Sequence, residues 1–336
     1  MHEHLVEVNG GATSREDAGL ARWCPPAALE QIKAEPQRAI PAIARNEAMC
    51  AEIEAALGRV PTSHRLLLGD ARKLDDLEDE SVHLVVTSPP YWTLKDYEPG
   101  DGQLGYVEDY EEFNRALAEV WEHCYRLLVP GGRLVINVGD VLLPRRKVGR
   151  HLVYPLHSTI TEHCRHLGFD TLTPLIWHKI ANAKFEAGGG SILGKPYEPN
   201  GIIKSNIEWI LFQRKPGGYR KPTAAHRVMS VIPQPRHQEW FQSIWNFGGA
   251  STKQHPAPYP VELPTRLIRM FSFAGDTVLD PFSGTASTSV AAAAWGRDSV
   301  GIEVEPLYFD MASKRLNQLA SVDAQLPLPG TRTEGD

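Results

Sequence analysis

At 336 residues, 42% hydrophobic and 23% charged with a formal net charge of −6, the chain has the composition of a soluble globular protein of one large or two ordinary domains, not of a fibre or a disordered tail. No apolar run approaches the ~20 residues of a membrane span; Glu3 and His4 stand where a secretory leader would begin, so a cytoplasmic, nucleoid-associated protein without membrane contact is expected. The acidic balance argues against unspecific coating of nucleic acid, and Cys24, Cys50, Cys124 and Cys164 show neither Cys-x-x-Cys pairing nor a disulfide framework, which predicts reduced thiols without chemistry.

Residues 1 to 36 carry turn formers and little periodicity, which predicts a loosely ordered arm, followed by a helix from about Ala39 to Leu57 that stops at Gly58. Arg65 to Asp70 reads as a short buried strand closing on Gly-Asp, and Val82 to Val86 as a second. The second strand runs into Thr87-Ser88-Pro89-Pro90-Tyr91-Trp92. Proline fixes φ at about −65° and has no N–H, so the carbonyls of Ser88 and Pro89 are held stiffly outside a ladder and can accept hydrogen bonds. Tyr91 and Trp92 offer flat apolar faces on which a planar ring can stack, typically worth about 1–3 kcal/mol per nucleobase. Alone, the hexapeptide fits an ordinary strand-ending Pro-Pro turn equally well.

Helical apolar spacing from Tyr110 to Leu128 stops at Pro130-Gly131-Gly132, and a strand from Arg133 to Val138 closes on Gly139-Asp140. A helix from about Tyr154 to Leu167 follows; His157, His163 and His166 lie off its apolar stripe and lack the companion ligands of a metal site. Leu172 to Trp177 and Ile207 to Phe212 read as a strand pair around the glycine-rich 187–191. Lys204, Arg214, Lys215, Arg220, Lys221, Arg227 and Arg236 are opposed within their stretch by one acid, Glu208, which suits either phosphate tracking or a solvated basic face. Gln213 to His255 has loop composition laced with Trp240, Phe241, Trp245 and Phe247. A helix from Val261 to Phe271, a strand from Thr277 to Leu279, an Ala-rich helix from Ala286 to Trp295, a strand from Ser299 to Val304 and a helix from Leu307 to Leu319 complete an alternation that predicts a doubly wound, mostly parallel α/β sheet, with a disordered tail after Ala320.

Within the last part, Asp280-Pro281-Phe282-Ser283-Gly284-Thr285 is a small-residue turn between strand and helix, where backbone can approach a ligand closely. Glu303 closes the next strand about 20 residues on, the spacing at which a carboxylate takes ribose hydroxyls. Neither Gly-x-Gly-x-x-Gly nor a phosphate loop is present, and Asp280 suits a cationic amino group such as that of S-adenosylmethionine better than a pyrophosphate.

The Ser-Pro-Pro-Tyr motif followed far downstream by Asp-Pro-Phe-Ser-Gly-Thr resembles the DNA amino-methyltransferases, over about residues 64 to 318. Gln103-Leu104-Gly105, Asn137-Val138-Gly139-Asp140, Ser243-Ile244-Trp245 and the 255–260 run His-Pro-Ala-Pro-Tyr-Pro are similar to intermediate signatures of that family, and the motif order is that of its permuted β class. The resemblance implies a circularly permuted, seven-stranded sheet of the class I S-adenosylmethionine-dependent type with an inserted target-recognition region. It divides the chain into an arm and helix (1–60), a catalytic half (61–180), a recognition region (181–254, with a core strand at 206–213), a cofactor half (255–320) and the tail (321–336). It implies catalytic roles for Ser88, Pro89, Pro90 and Tyr91, and cofactor contacts from Asp70, Thr87, Asp280, Pro281, Phe282, Ser283, Gly284, Thr285, Glu303 and His255. Trp92 and the seven basic residues between Lys204 and Arg236 would meet DNA. The family's second motif glycine is Ala286 here, expected to narrow the pocket floor slightly. Ser before Pro-Pro-Tyr looks like the cytosine-N4 subgroup, with adenine N6, an inactive DNA-binding homologue and a glutamine or RNA methyltransferase as alternatives. Double-stranded DNA is the expected partner, with room for a cognate restriction endonuclease, and a monomer or weak homodimer the expected state.

Overall fold

The structure, a computed structural model, describes residues 4–9, 17–92, 102–143, 148–179, 205–249 and 259–323. Chain order begins with β1 (His4–Asn9) and four helices, α1 (Asp17–Ala21), α2 (Pro26–Ala34), α3 (Ala39–Ala44) and α4 (Glu47–Leu57). Then come β2 (Ser63–Leu68), β3 (Val82–Thr87), α5 (Tyr110–Leu127), β4 (Leu128–Val138), the hairpin β5 (Val141–Leu143) and β6 (Leu152–Tyr154), α6 (Leu156–His166), β7 (Asp170–His178) and β8 (Ile207–Arg214). The chain closes with α7 (Ala224–Met229), α8 (Gln234–Trp240), β9 (Ile244–Asn246), α9 (Glu262–Phe271), β10 (Thr277–Asp280), α10 (Ser287–Ala294), β11 (Asp298–Glu303) and α11 (Pro306–Asp323).

Nine strands form one sheet in the order β1-β2-β11-β10-β3-β4-β8-β7-β9. The five strands from β2 to β4 in that order are mutually parallel, and β8 is antiparallel to both its neighbours. The seven expected strands are all present. Two more extend the edges: β1 pairs antiparallel with β2, and the short β9 runs parallel to β7. The strand ending at Glu303 lies beside the one leading to Asp70, with Glu303 in register with Leu68, although more than half the chain separates them.

Alternation along the strands sorts side chains to the two faces. Val85, Leu134, Ile136 and Leu279 pack under Phe113, Leu117, Val120 and Trp121 of α5 and Ile160 of α6. Leu84, Val86, Val135 and Val278 pack under Leu263, Leu267 and Ile268 of α9 and Ala291 and Ala292 of α10. Parallel strands buried on both faces read as apolar runs, and helices on both faces are what such runs require.

The amino-terminal part departs from the expected arm. Ala28, Ile32, Ile43, Ile53 and Leu57 form a separate apolar cluster with Ala225, Val228 and Met229 of α7 and with Ala274. Ala274 precedes β10, so this helical cap covers the amino edge of the sheet. The helix expected over Ala39 to Leu57 is two, because Asn46 accepts a hydrogen bond from the Met49 N–H (3.1 Å) and so caps α4. Residues 213–249, read as loop, hold α7, α8 and β9, since Trp240 and Trp245 are buried in the core against α9. The last helix continues to Asp323, three residues past Ala320, where the tail was expected to begin. All four cysteines are buried and free, and burial pushes the Cys24 thiol up to about 11, which keeps it protonated. Among the described residues no helix is long and apolar enough to cross a membrane.

The cap is fastened by Glu54, whose carboxylate meets Arg236 at 2.8 Å and the buried Arg269 at 3.0 Å. Burial lowers the Arg269 pKa and the Glu54 charge opposes that shift. Glu54→Ala should therefore cost about 2 kcal/mol in urea unfolding, less than for a fully buried pair because Glu54 is partly in water. A loss under about 0.5 kcal/mol would show that the cap does not depend on this junction.

Candidate active site

Five parallel strands deliver their carboxyl ends to one edge, and the motifs singled out above meet there. A cleft of about 810 Å³ is lined by Gly69 and Asp70 after β2, Ser88 and Pro90 after β3, Pro281 to Thr285 after β10, Glu303 and Val304 at the end of β11, and Gly102 to Leu104, Tyr259 and Tyr308.

The turn after β10 is shaped for close approach. Gly284 has φ +52°, and a Cβ on Gly301 would stand 2.7 Å from Ser283 Oγ. Ser283 Oγ is buried and has no hydrogen-bond partner among the described residues. Glu303 accepts hydrogen bonds from the N–H of Gly284 (2.7 Å) and of Glu305 (2.9 Å). Burial nevertheless raises its pKa to about 7. A buried carboxylate, an unpaired hydroxyl and a backbone cradle fit a ribose-bearing ligand. Asp70 lines the cleft beside Glu303, since the N–H of the preceding Gly69 donates to the Glu303 carbonyl (2.9 Å). Burial raises the Asp70 pKa, but the hydrogen bonds and charge of Arg72, whose Nη2 lies 2.6 Å away, outweigh that and hold the carboxyl below its usual range.

Asp280 and Thr87 stand just behind the residues that line the cleft. Asp280 Oδ1 accepts from Thr87 Oγ1 (2.7 Å) and the Phe282 N–H (3.1 Å), while Oδ2 accepts from Tyr259 Oη (2.8 Å) and Thr288 Oγ1 (2.6 Å). The donors come from the end of β3, the turn after β10, α10 and the segment before α9, so the carboxylate gathers four parts of the chain. The node ties β3, β10, α10 and the segment before α9 together behind the cleft. Ala286 departs from the expected position at the cleft floor. It adopts φ +62°, packs with Leu66, Phe309 and Ala312, and does not narrow the cleft floor.

Ser88 Oγ stands 3.2 Å from Tyr91 Oη, and Tyr91 Oη also accepts from Asn137 Nδ2 (3.1 Å). Tyr91 is 6% exposed, so the ring face expected to receive a base is covered. Trp92 is a further correction: it is 7% exposed, its indole N–H donates to the Val107 carbonyl (2.8 Å), and it packs edge-on against Tyr110 and Tyr154. It is part of the core and has no open face for DNA.

The basic stretch lies largely elsewhere. Arg214 pairs with Asp170 at the start of β7, Lys215 with Glu80 and the Leu128 carbonyl, and Arg220 with Asp276 just before β10. Arg227 donates to the Pro36 carbonyl and Arg236 pairs with Glu54. These partners sit at the amino ends of the strands or in the cap, opposite the edge that carries Ser88. Lys221 is exposed beside Arg220. The arginines of this stretch fasten the sheet to its surroundings away from the cleft. Lys204 and His255 lie outside the described residues.

Sequence reasoning missed Tyr259, Gly102, Tyr308 and Thr288. Tyr259 stood in view, since it occupies the proline-bracketed 255–260 run from which only His255 was taken. Glu208 was also legible as an acid within the apolar run of β8.

A family model described as DNA methylase matches residues 82–314. The Type II methyltransferase M.MjaI of Methanocaldococcus jannaschii is 38% identical over 276 residues, covering 73% of this chain and 88% of that protein. The S-adenosyl-L-methionine complex of a modification methylase from Thermus thermophilus, TTHA0409, is 48% identical with TM-score 0.63, over 80% of this chain and 94% of the other. The PvuII DNA methyltransferase (cytosine-N4-specific) shares the fold at 18% identity and TM-score 0.54, over 77% of this chain and 92% of its own.

Proposed function

The chain belongs to the N6/N4 DNA methylase family, and from that premise we propose that it methylates the exocyclic N4 amine of a cytosine turned out of duplex DNA, with S-adenosylmethionine as donor. The observation that carries the reading is Ser88, in the family's catalytic motif, lining one cleft with the Pro281 to Thr285 turn and Glu303. The cofactor complex of the 48% identical protein supports the choice of donor.

Bound in the cleft, S-adenosylmethionine supplies an electrophilic methyl group. Glu303 would accept the ribose hydroxyls, Ser283 and the backbone of Gly284 and Thr285 would cradle the rest, and Asp70 would border the adenine. An exocyclic ring amine is a weak nucleophile because its lone pair is delocalised into the ring. Ser88 Oγ and the Pro89 carbonyl accept its two N–H bonds, pull the nitrogen toward tetrahedral geometry and stabilise the positive charge that develops on it. Pro90 keeps that carbonyl rigid, and holding the amine in line supplies the remaining advantage. The target base must leave the helix, at about a few kcal/mol of unstacking. With the basic stretch committed to the opposite edge, DNA would approach the carboxyl ends of β7 and β9, where His178, Lys179 and Asn246 stand.

Glu303 gives the reading a pH signature. A carboxyl raised to about 7 is largely protonated at pH 6, and a ribose needs it ionised. Cofactor binding must then release a proton, so affinity should fall about tenfold per pH unit below 7 and level off above it. Calorimetric titration between pH 5.5 and 7.5 checks this. Glu303→Gln should bind weakly with no such slope, and an unchanged slope in that variant would remove Glu303 from the cofactor site.

The proposed function is tested by incubating the protein with S-adenosylmethionine carrying a labelled methyl group and either duplex DNA or RNA. Label in DNA cytosine supports it. Label in RNA or protein only would overturn it.

A further inference from the structure

Behind Tyr91 lies a polar array that the chemistry above does not use. Asn137, at the carboxyl end of β4, is 2% exposed; its Nδ2 donates to Tyr91 Oη (3.1 Å) and to Glu208 Oε2 (2.6 Å). Glu208 is held in turn by an ion pair with Lys179, whose ammonium also lies 4.5 Å from the centre of the Trp177 ring. Both of the amide's donor contacts are within the array, and Asn137 Oδ1 has no partner among the described residues. Carboxylate and amide in the wall of an otherwise apolar sheet are costly to bury, which makes the arrangement a specific one.

We propose that Lys179, Glu208 and Asn137 form a positioning array that fixes Tyr91 through its hydroxyl and thereby sets the base-receiving end of the site. The inference rests on the reading of Ser88 and Tyr91 as the place where the amine reacts. An amide nitrogen can only donate, and Glu208 can only accept while paired with Lys179, so the orientation of Asn137 is determined. Tyr91 Oη must then accept from Asn137, and its own proton is turned away from that side. Ser88 Oγ, 3.2 Å off, is within its reach. The ring is pinned at its hydroxyl end, and through that hydroxyl the array reaches Ser88, which lines the cleft. Lys179 and Glu208 lie where β7 ends and β8 begins, flanking residues 180–204, so the array also couples the root of the recognition region to the catalytic turn.

The test is a double-variant cycle on the whole protein, read as kcat at saturating DNA and cofactor, with the S-adenosylmethionine dissociation constant as the check on folding. Asn137→Ala and Tyr91→Phe should each lower kcat about tenfold or more with cofactor affinity unchanged, and the double variant should fall no further than the worse single one. Glu208→Gln, which keeps an acceptor for Asn137, should retain most of the activity that Glu208→Ala loses. Losses that multiply in the double variant, or an Asn137→Ala enzyme with wild-type kcat, would overturn the proposal. If Asn137→Ala loses cofactor binding, the pair Glu208→Gln and Glu208→Ala decides, and equal losses in both count against it. The coupling is read on whichever base the wild-type enzyme methylates, so an adenine product would overturn the cytosine assignment and leave this test standing.

Discussion

Ser88→Ala is expected to lower turnover about 10²-fold while leaving the dissociation constant for S-adenosylmethionine nearly unchanged. The size follows from the loss of one preorganised hydrogen-bonding group aimed at developing charge, which typically costs 10²–10³ in kcat. The selectivity follows from position. Ser88 meets the cleft by its edge, after β3, whereas the turn after β10 and Glu303 make the other wall. Losing Ser88 Oγ removes a partner of the amine and of Tyr91, and leaves the second wall untouched. A variant that lost cofactor affinity and turnover equally would show Ser88 to be part of the cofactor wall.

Asp280→Ala is expected to be the most damaging single change to the fold, at about 3–5 kcal/mol, and to weaken cofactor binding indirectly. Burial raises the pKa of Asp280 and four hydrogen bonds oppose that shift. Alanine would leave Thr87, Tyr259, Thr288 and the Phe282 N–H as donors around a small void, each buried or nearly so. Two of them, Tyr259 and Thr288, are also close enough to bond each other, which softens the loss without replacing the link to β3. Asp280→Asn should fall between alanine and wild type, since its amide satisfies two donors and opposes the others. Urea unfolding with the cofactor absent measures the effect, and a cost below about 1 kcal/mol would contradict the view of this node as the tie between β3, β10 and α10.

The core of the sheet was readable because parallel strands buried on both faces are short apolar runs bounded by turn residues, as at Val82 to Val86 and Thr277 to Leu279. Even the neighbourhood of Glu303 and Asp70 could be anticipated from motif order. What escaped was set by tertiary partners. Charge along a sequence does not say which edge of the sheet a side chain faces, so Arg214, Arg220 and Arg236 looked like phosphate contacts and are ion pairs at the amino edge or in the cap. The weakly periodic segment before residue 36 looked loose because its helices are short and bury only small stripes against α7. Asp280 was assigned to a ligand on the strength of its motif, but a buried carboxylate collects whatever donors the fold supplies, and here Thr87, Thr288 and Tyr259 come from three other segments. Trp92 shows the same limit: an aromatic next to a catalytic motif can serve a ligand or the core, and only its Val107, Tyr110 and Tyr154 neighbours decide.

The central claim is that Ser88 acts on a cytosine amine. Genomic DNA from cells expressing the protein, digested to nucleosides and compared by mass spectrometry with DNA from cells expressing Ser88→Ala, tests that claim directly. The expected result is N4-methylcytosine that is present with the wild type and lost or strongly reduced with the variant. N6-methyladenine in its place, with no N4-methylcytosine, would contradict it.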